Sequence, residues 1–169
     1  MADIVMSADD KNLFPVFLVN AEVLSVTIND GMVQSQLRVT EVLHGPETLL
    51  NQLFKASAAA AGQGGVGALV LYPPLEKGES GIWPVCFNKE GEVVVERDAL
   101  LRESLLDLPC REKREEKRCE DVRSLAKAVN VVSKATPLKR KELLRTLTTN
   151  DVELVRRWAQ YAKKLLSEE

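Results

Sequence analysis

Residues 14–46 read FPVFLVNAEVLSVTINDGMVQSQLRVTEVLHGP, and the reading of this stretch decides the fold. Asn29-Asp30-Gly31 stands between two long runs rich in Val, Leu, Ile and Thr. Asn or Asp followed by Gly supplies the positive φ angles that a tight hairpin turn needs, so the stretch predicts two long antiparallel strands, Val16–Ile28 and Ser35–Leu43. In the first, Phe17, Val19, Ala21 and Val23 share one face, whereas Leu24, Val26 and Ile28 share the other. The apolar face therefore switches near Ala21–Leu24, as a β-bulge or a sharp coil would make it do at the corner of a barrel. In the second, Val33, Ser35, Leu37, Val39 and Leu43 point one way and Gln34, Gln36, Arg38 and Thr40 the other. That alternation belongs to a half-buried antiparallel strand.

Working outward, Leu49–Ala56 predicts a short strand. The run Ala58–Gly65 offers little to bury and predicts a mobile loop. Ala68–Tyr72 is an apolar run ended by Pro73-Pro74 and reads as a core strand. Ile82–Phe87 and Glu92–Val95 flank Asn88-Lys89-Glu90-Gly91 and predict a second hairpin. From Asp98, a good helix cap, the apolar period changes. Leu101, Leu105 and Leu108 follow at helical spacing up to Pro109. Val122, Leu125, Ala126, Val129 and Val132 then line one face of a helix. Thr136-Pro137 is a cap followed by a first-turn proline, and Asn150 with Glu153 marks another start. The last helix carries Val152, Val155, Ala159, Ala162 and Leu166 on one stripe, with Leu154, Trp158, Tyr161 and Leu165 beside it, a wide face that must pack on something. The expected fold class is α+β: a small antiparallel OB-like β-barrel over residues 1–97, followed by a C-terminal helical region of three to four helices over 98–169.

The chain has 169 residues, 45% of them apolar and 28% charged, an ordinary globular composition. Aromatic residues make up only 5%, which is sparse for a protein that stacks bases or sugars. Six basic residues against thirteen acidic ones leave residues 1–100 at −7, and seventeen against twelve bring residues 101–169 to +5. The two halves could attract each other, or the basic half could face an acidic partner. Acids and bases alternate in the second half, so a solvated mixed-charge surface is the plainer reading.

Cys86, Cys110 and Cys119 are too few and too irregular for a disulfide framework. Read as one helix, residues 110–119 would separate two of these thiols by about 13 Å along the axis and put them on opposite faces. A disulfide needs Cα atoms within about 7 Å, so all three cysteines read as reduced or buried thiols. Asn20 and Glu22 interrupt the longest apolar run, far short of the ~20 residues of a membrane span. Met1–Asp10 is acidic and lacks the basic and apolar segments of a signal peptide. The chain as it stands therefore reads as cytoplasmic, and as extracytoplasmic only if a leader precedes it.

The chemistry-bearing motifs are weak. Gly62-Gln63-Gly64-Gly65-Val66-Gly67 matches a dinucleotide pattern, but a strand is expected after it where a helix is needed, so a flexible loop is preferred. His44 is the only histidine, beside Gly45-Pro46 at a strand end, and nothing places a nucleophile near it. It reads as a plain turn or surface histidine. One His and three scattered Cys cannot make a structural zinc site, no calcium loop is present, and no cofactor is expected. Arg111–Arg118 holds five bases and three acids. Either it contacts phosphate or it is a solvent-facing helix with pairs such as Arg111–Glu115, and the embedded acids favour the second. Trp83 and Trp158 read as packing anchors.

The long coiled first strand, the second strand and its exit Glu41-Val42-Leu43-His44-Gly45-Pro46 resemble the netrin-like domain, the OB-type barrel also found in tissue inhibitors of metalloproteinases. The likeness spans roughly residues 14–97. It implies a strand at Ala68–Tyr72 and helices at the barrel's end, with a protein-binding role. The inhibitors of that family chelate a metal through an N-terminal cysteine within a disulfide framework, and this chain has neither, so inhibition is not implied. The tail is similar to a HEAT-type helix pair, on Leu143-Leu144-Arg145-Thr146-Leu147 and Val152–Leu166.

The expected function is that of a non-enzymatic binding module for a protein partner. Contact is expected through the barrel rim and the helical tail, at Trp158, Tyr161, Arg114, Lys117 and Arg118. The alternative is single-stranded nucleic-acid binding by an OB barrel with a basic tail. A third class, an enzyme, would have to be built around His44.

Overall fold

The computed structural model describes residues 14, 16–59, 75–96 and 109–167. The expected lead-in, the strand at Ala68–Tyr72, the helix from Asp98 to Leu108, the division near residue 98 and the expected loop from residue 60 on lie outside the described residues. Ala58 and Ala59, expected in that loop, instead pair with Val33 and Met32 in a strand. Among the described residues, six strands form one antiparallel sheet: β1 (Phe17–Asn29), β2 (Met32–His44), β3 (Leu53–Ala59), β4 (Ser80–Phe87), β5 (Val93–Val95) and β6 (Cys110–Arg111). A 3-10 turn at Glu47–Leu49 precedes β3. Three helices follow: α1 (Glu116–Lys134), α2 (Pro137–Leu147) and α3 (Glu153–Ser167). No helix among the described residues is long and apolar enough to cross a membrane.

The hairpin of β1 and β2 is as its turn dictates. Asn29 pairs with Met32, and the two residues between them, Asp30 and Gly31, have φ of 51° and 76°. Both angles are positive, as the favoured two-residue turn requires. The ladder contains three irregularities. The first lies between Val23 and Ser25, so Leu24 is an extra residue. The expected bulge is therefore present, and its effect is to return Val26 to the core that holds Val23. The other two leave Thr40 and Leu43 as extra residues on β2. The alternation of β2 holds from Val33 to Val39, all of whose odd-numbered residues are buried. Beyond it the bulges divert the chain. Leu43, expected beside Val39, packs on the opposite side of the sheet.

The strand order is β3-β2-β1-β4-β5, with β5 and β6 both paired to β4. The sheet curls until its end strands β3 and β5 approach each other, yet no hydrogen-bonded ladder among the described residues joins them. Among the described residues it is an antiparallel sheet not closed into a barrel. Its inner face is filled by Val19, Ala21, Val23, Leu37, Val39, Leu49, Phe54, Ala56, Leu75, Trp83, Val85 and Val93. Phe54 and Trp83 meet edge to face with centroids 6.0 Å apart, a favoured ring geometry. The outer face presents Leu18, Ile82 and Cys110 to the helices, where Val122, Leu125, Val129, Leu144, Val155 and Trp158 complete a second apolar cluster. Burying Trp83 and Trp158 at 1% exposure each makes both the packing anchors their size suggests.

The second hairpin, β4–β5, turns at Asn88, whose side chain accepts hydrogen bonds from the backbone N–H of Glu90 and Glu92. α2 starts at Thr136, whose hydroxyl accepts from the N–H of Lys139, with Pro137 in the first turn. Asn150 likewise accepts from the N–H of Val152 ahead of α3. The Thr136-Pro137 cap therefore reads correctly from sequence, whereas Asn150 lies before the bend that leads into a helix Glu153 itself opens.

Residues 110–118 do not read as expected. The described part of the expected helical region opens with a strand, since Cys110 and Arg111 pair with Ile82 and Gly81 of β4. The chain then turns over Glu112–Arg114 before α1 begins. Arg111, expected on a solvent-facing helix, is 5% exposed. Its guanidinium donates from Nε and Nη2 to the two carboxylate oxygens of Glu79, which is 9% exposed. This two-toothed pair ties β6 to the turn that precedes β4. That turn is itself held on β1, where the N–H and C=O of Val23 bond Glu79 O and Gly78 N at 2.8 Å each. A second cation secures the helix: Arg123 of α1 reaches Glu41 of β2 at 2.5 Å and Glu112 at 2.7 Å.

Candidate functional site

The helices leave a groove whose chemistry is not explained by packing. It lies between α2 and α3, has a volume of about 240 Å³, and is lined by Lys141, Leu144, Arg145, Lys163 and Leu166. The sequence builds it simply. Lys141 and Arg145 are four residues apart and so share one face of α2, with Leu144 beside them turned into the core at 1% exposure. On α3, Lys163 and Leu166 are three apart and repeat the arrangement of cation beside apolar residue. The result is an apolar floor rimmed by three exposed cations. None of the three takes part in an ion pair among the described residues, although other cations there do. Chemically the groove can hold an apolar group and neutralise acids around it. Among the described residues it is lined by no hydroxyl, thiol, carboxylate or imidazole.

The residues expected to meet a partner fall on two elements. Arg114, Lys117 and Arg118 lie in the turn before α1 and in its first turns. Lys117 pairs with Asp121 at 3.2 Å, and Arg118 pairs with Glu115 while also donating to the carbonyl of Pro109 at 3.4 Å. Arg114 is exposed, its N–H bonded to the carbonyl of Arg111. Trp158 is in the helical core and Tyr161 is half-buried against it. Trp158 thus holds α3 in place and presents no face to a partner. The groove cations were missed. The spacing of Lys141 and Arg145 was a signal, but only the packing of α3 on α2 brings Lys163 to them.

His44, expected at a turn or on the surface, is buried at the end of β2. Asn130 of α1 donates through Nδ2 to the carbonyl of Leu43 at 2.8 Å, which leaves its Oδ1 to accept from His44 Nδ1 at 2.7 Å. The Phe14 ring stands edge-on to the imidazole at 5.3 Å. The histidine thus fastens the strand end to α1. No group of three or more His, Cys, Asp or Glu suited to a metal ion occurs among the described residues.

The three thiols differ in setting. Cys86, half-buried on β4, is pushed up to about 11 by burial and then by the Glu96 carboxylate. Cys110 and Cys119 are fully buried, and their sulfurs lie 2.7 Å apart. The expectation that these two are remote is overturned, because Cys110 belongs to a strand and not to the helix of Cys119.

No protein family and no curated protein matches the chain. What the fold and groove define is a class: an α+β protein whose curled antiparallel sheet carries three helices, with a cation-rimmed apolar groove at the helical end.

Proposed function

We propose that this chain is a non-enzymatic binding module that holds an acidic, apolar-sided segment of a protein partner in the groove between α2 and α3. The observation that carries the reading is the groove itself: the Leu144 and Leu166 floor beneath Lys141, Arg145 and Lys163. An amphipathic peptide helix with Leu at every third or fourth position and Glu on its flanks matches both features, a recurrent mode of peptide recognition. The cations steer the encounter, and the floor supplies the anchor. Single-stranded nucleic acid is the weaker reading. Phe54, Trp83 and Trp158, three of the few aromatic rings, are enclosed in the cores and have no free face for a base.

The same proposal includes the scaffold. We read the sheet as an opened OB-type barrel of the netrin-like kind, and α2–α3 as a HEAT-type pair. Support comes from the coiled β1 with its bulge, the approach of β3 to β5, and the direct packing of α2 on α3.

The test is a fluorescence-anisotropy titration with a labelled peptide of Leu and Glu in that helical pattern, beside a scrambled peptide and an oligothymidylate. The expected result is saturable binding of the patterned peptide alone. It weakens at least ~10-fold in Lys141→Glu/Arg145→Glu/Lys163→Glu, a loss of about 1.4 kcal/mol or more. Equal binding by the charge-reversed variant, or no binding of the peptide, overturns the groove. Tighter, salt-dependent binding of the oligothymidylate transfers the function to nucleic acid.

A further inference from the structure

Cys110 and Cys119 come together for local reasons. After β6 the chain reverses at once: the N–H groups of Arg114 and Glu115 bond the carbonyl of Arg111 at 3.1 and 2.8 Å. Glu115 then accepts from Cys119 through its own carbonyl at 2.9 Å, starting α1. This turn lays the first helical turn over the strand it has just left. It sets the two sulfurs 2.7 Å apart, about 0.7 Å more than a disulfide bond. Both residues are 0% exposed, within the cluster of Leu18, Ile82 and Val122. Among the described residues, the further contact is a weak one from Cys110 Sγ to the carbonyl of Glu115 at 3.8 Å.

We propose that Cys110 and Cys119 form an oxidation site, closing to an intramolecular disulfide that bolts β6 to α1. The oxidant is a small disulfide of the glutathione class. In the first step the Cys110 thiolate attacks one sulfur of that disulfide. The oxidant's S–S bond breaks, and one of its sulfurs departs as a thiolate that takes up the proton Cys110 released. In the second step the Cys119 thiolate attacks Cys110 Sγ in the mixed disulfide, expelling the other half as a second thiol. Two protein thiols are oxidised, one disulfide is reduced to two thiols, and both protons go to the leaving sulfurs.

The order follows from the surroundings. Burial pushes both thiols up, and Glu112 and Glu115 act in the same sense on each, but at Cys110 the bond from Cys119 and the Arg118 guanidinium oppose the rise. Cys110 therefore gives up its proton more readily and attacks first. With both sulfurs out of water, exchange runs through opening of the 112–115 turn and is slow.

The full chain is incubated with oxidised glutathione under native conditions, then denatured and treated with N-ethylmaleimide. The expected product is about 2 Da lighter than the starting protein and takes up one maleimide, on Cys86, because the other two cysteines have joined. A protease map of the non-reduced product contains a fragment linking Cys110 to Cys119. Its unfolding midpoint rises by about 5–10 °C, and a reductant reverses the rise. Uptake of three maleimides, a lasting glutathione adduct on Cys110 or Cys119, or a bridge through Cys86 overturns the proposal. So does an equal rise in midpoint for Cys119→Ser under the same oxidation. The protease map needs no variant and decides the matter if Cys119→Ser fails to fold.

Discussion

Replacing Arg111 with Met should cost this protein more than any change on its surface. The Glu79 carboxylate is 9% exposed, and both its oxygens accept from the guanidinium of Arg111, itself 5% exposed. Removing the cation leaves a charge out of water with the N–H of Glu76, at 3.0 Å, and the charge of Arg114 to offset it. Breaking a buried pair from one side costs about 3–5 kcal/mol, a large share of the roughly 5–15 kcal/mol by which domains are stable. The midpoint of thermal unfolding should therefore fall by about 8–15 °C. Glu79→Leu/Arg111→Met removes both charges and should lie within about 2 kcal/mol of the parent. The pH dependence adds a sign. Burial pushes the Glu79 carboxyl up, but the bonds from Arg111 and Glu76 and the charges of Arg111 and Arg114 outweigh it and hold it below its ordinary 4.5. A carboxyl lowered in the folded state stabilises above its ordinary value and loses that contribution as pH falls through the lowered one. In Arg111→Met burial dominates, the carboxyl rises, and its penalty is relieved as it protonates. The gap between parent and variant should thus narrow in urea titrations as pH falls from 7 to about 4. A cost below about 1 kcal/mol at pH 7, a gap that widens in acid, or a double variant as unstable as the single one would refute the reasoning.

Gly81→Ala would set a Cβ 2.7 Å from the backbone oxygen of Cys110, so β6 must leave β4. Urea unfolding should show a loss of about 1–3 kcal/mol, and parental stability would mean that the strands are not so close. Trp158→Ala empties the centre of the helical cluster and should cost about 3–5 kcal/mol by the same assay. Cys86 is held at about 11, so its alkylation by iodoacetamide at pH 8 should run at least a hundredfold slower than that of a free thiol. The rate should climb about tenfold per pH unit toward pH 10 and rise in Glu96→Gln; a rate independent of pH contradicts the burial argument.

The parts of the fold legible in the sequence are those governed by local physics. Asp30-Gly31 reads as a turn because positive φ is a property of the residues themselves. The burial of Val33, Ser35, Leu37 and Val39 reads from strict alternation, and Thr136-Pro137 reads as a helix start because the cap acts within four residues. Leu43 was misassigned because bulges at Thr40 and Leu43 shift the faces without leaving a mark in polarity. Arg111 was misassigned because its partner, Glu79, is 32 residues away and a charge run looks solvated when that partner is unseen. The same error separated Cys110 from Cys119. The groove was half legible, in the spacing of Lys141 and Arg145, and completed only by the approach of Lys163 across the helix pair.

The two-residue strand β6 has a consequence for taking the molecule apart. It is made by the chain beyond residue 108 yet completes a sheet made by the chain before residue 97. A backbone severed between those points yields a front piece with Leu18 and Ile82 wet and a rear piece with Cys110 and the sheet-facing side of α1 wet. Each piece carries half of a complementary adhesive seam, with Arg111 and Glu79 as matched registration pins. Fused to the halves of a reporter enzyme, the two pieces form a split pair whose reassembly can be tuned at a single ion pair.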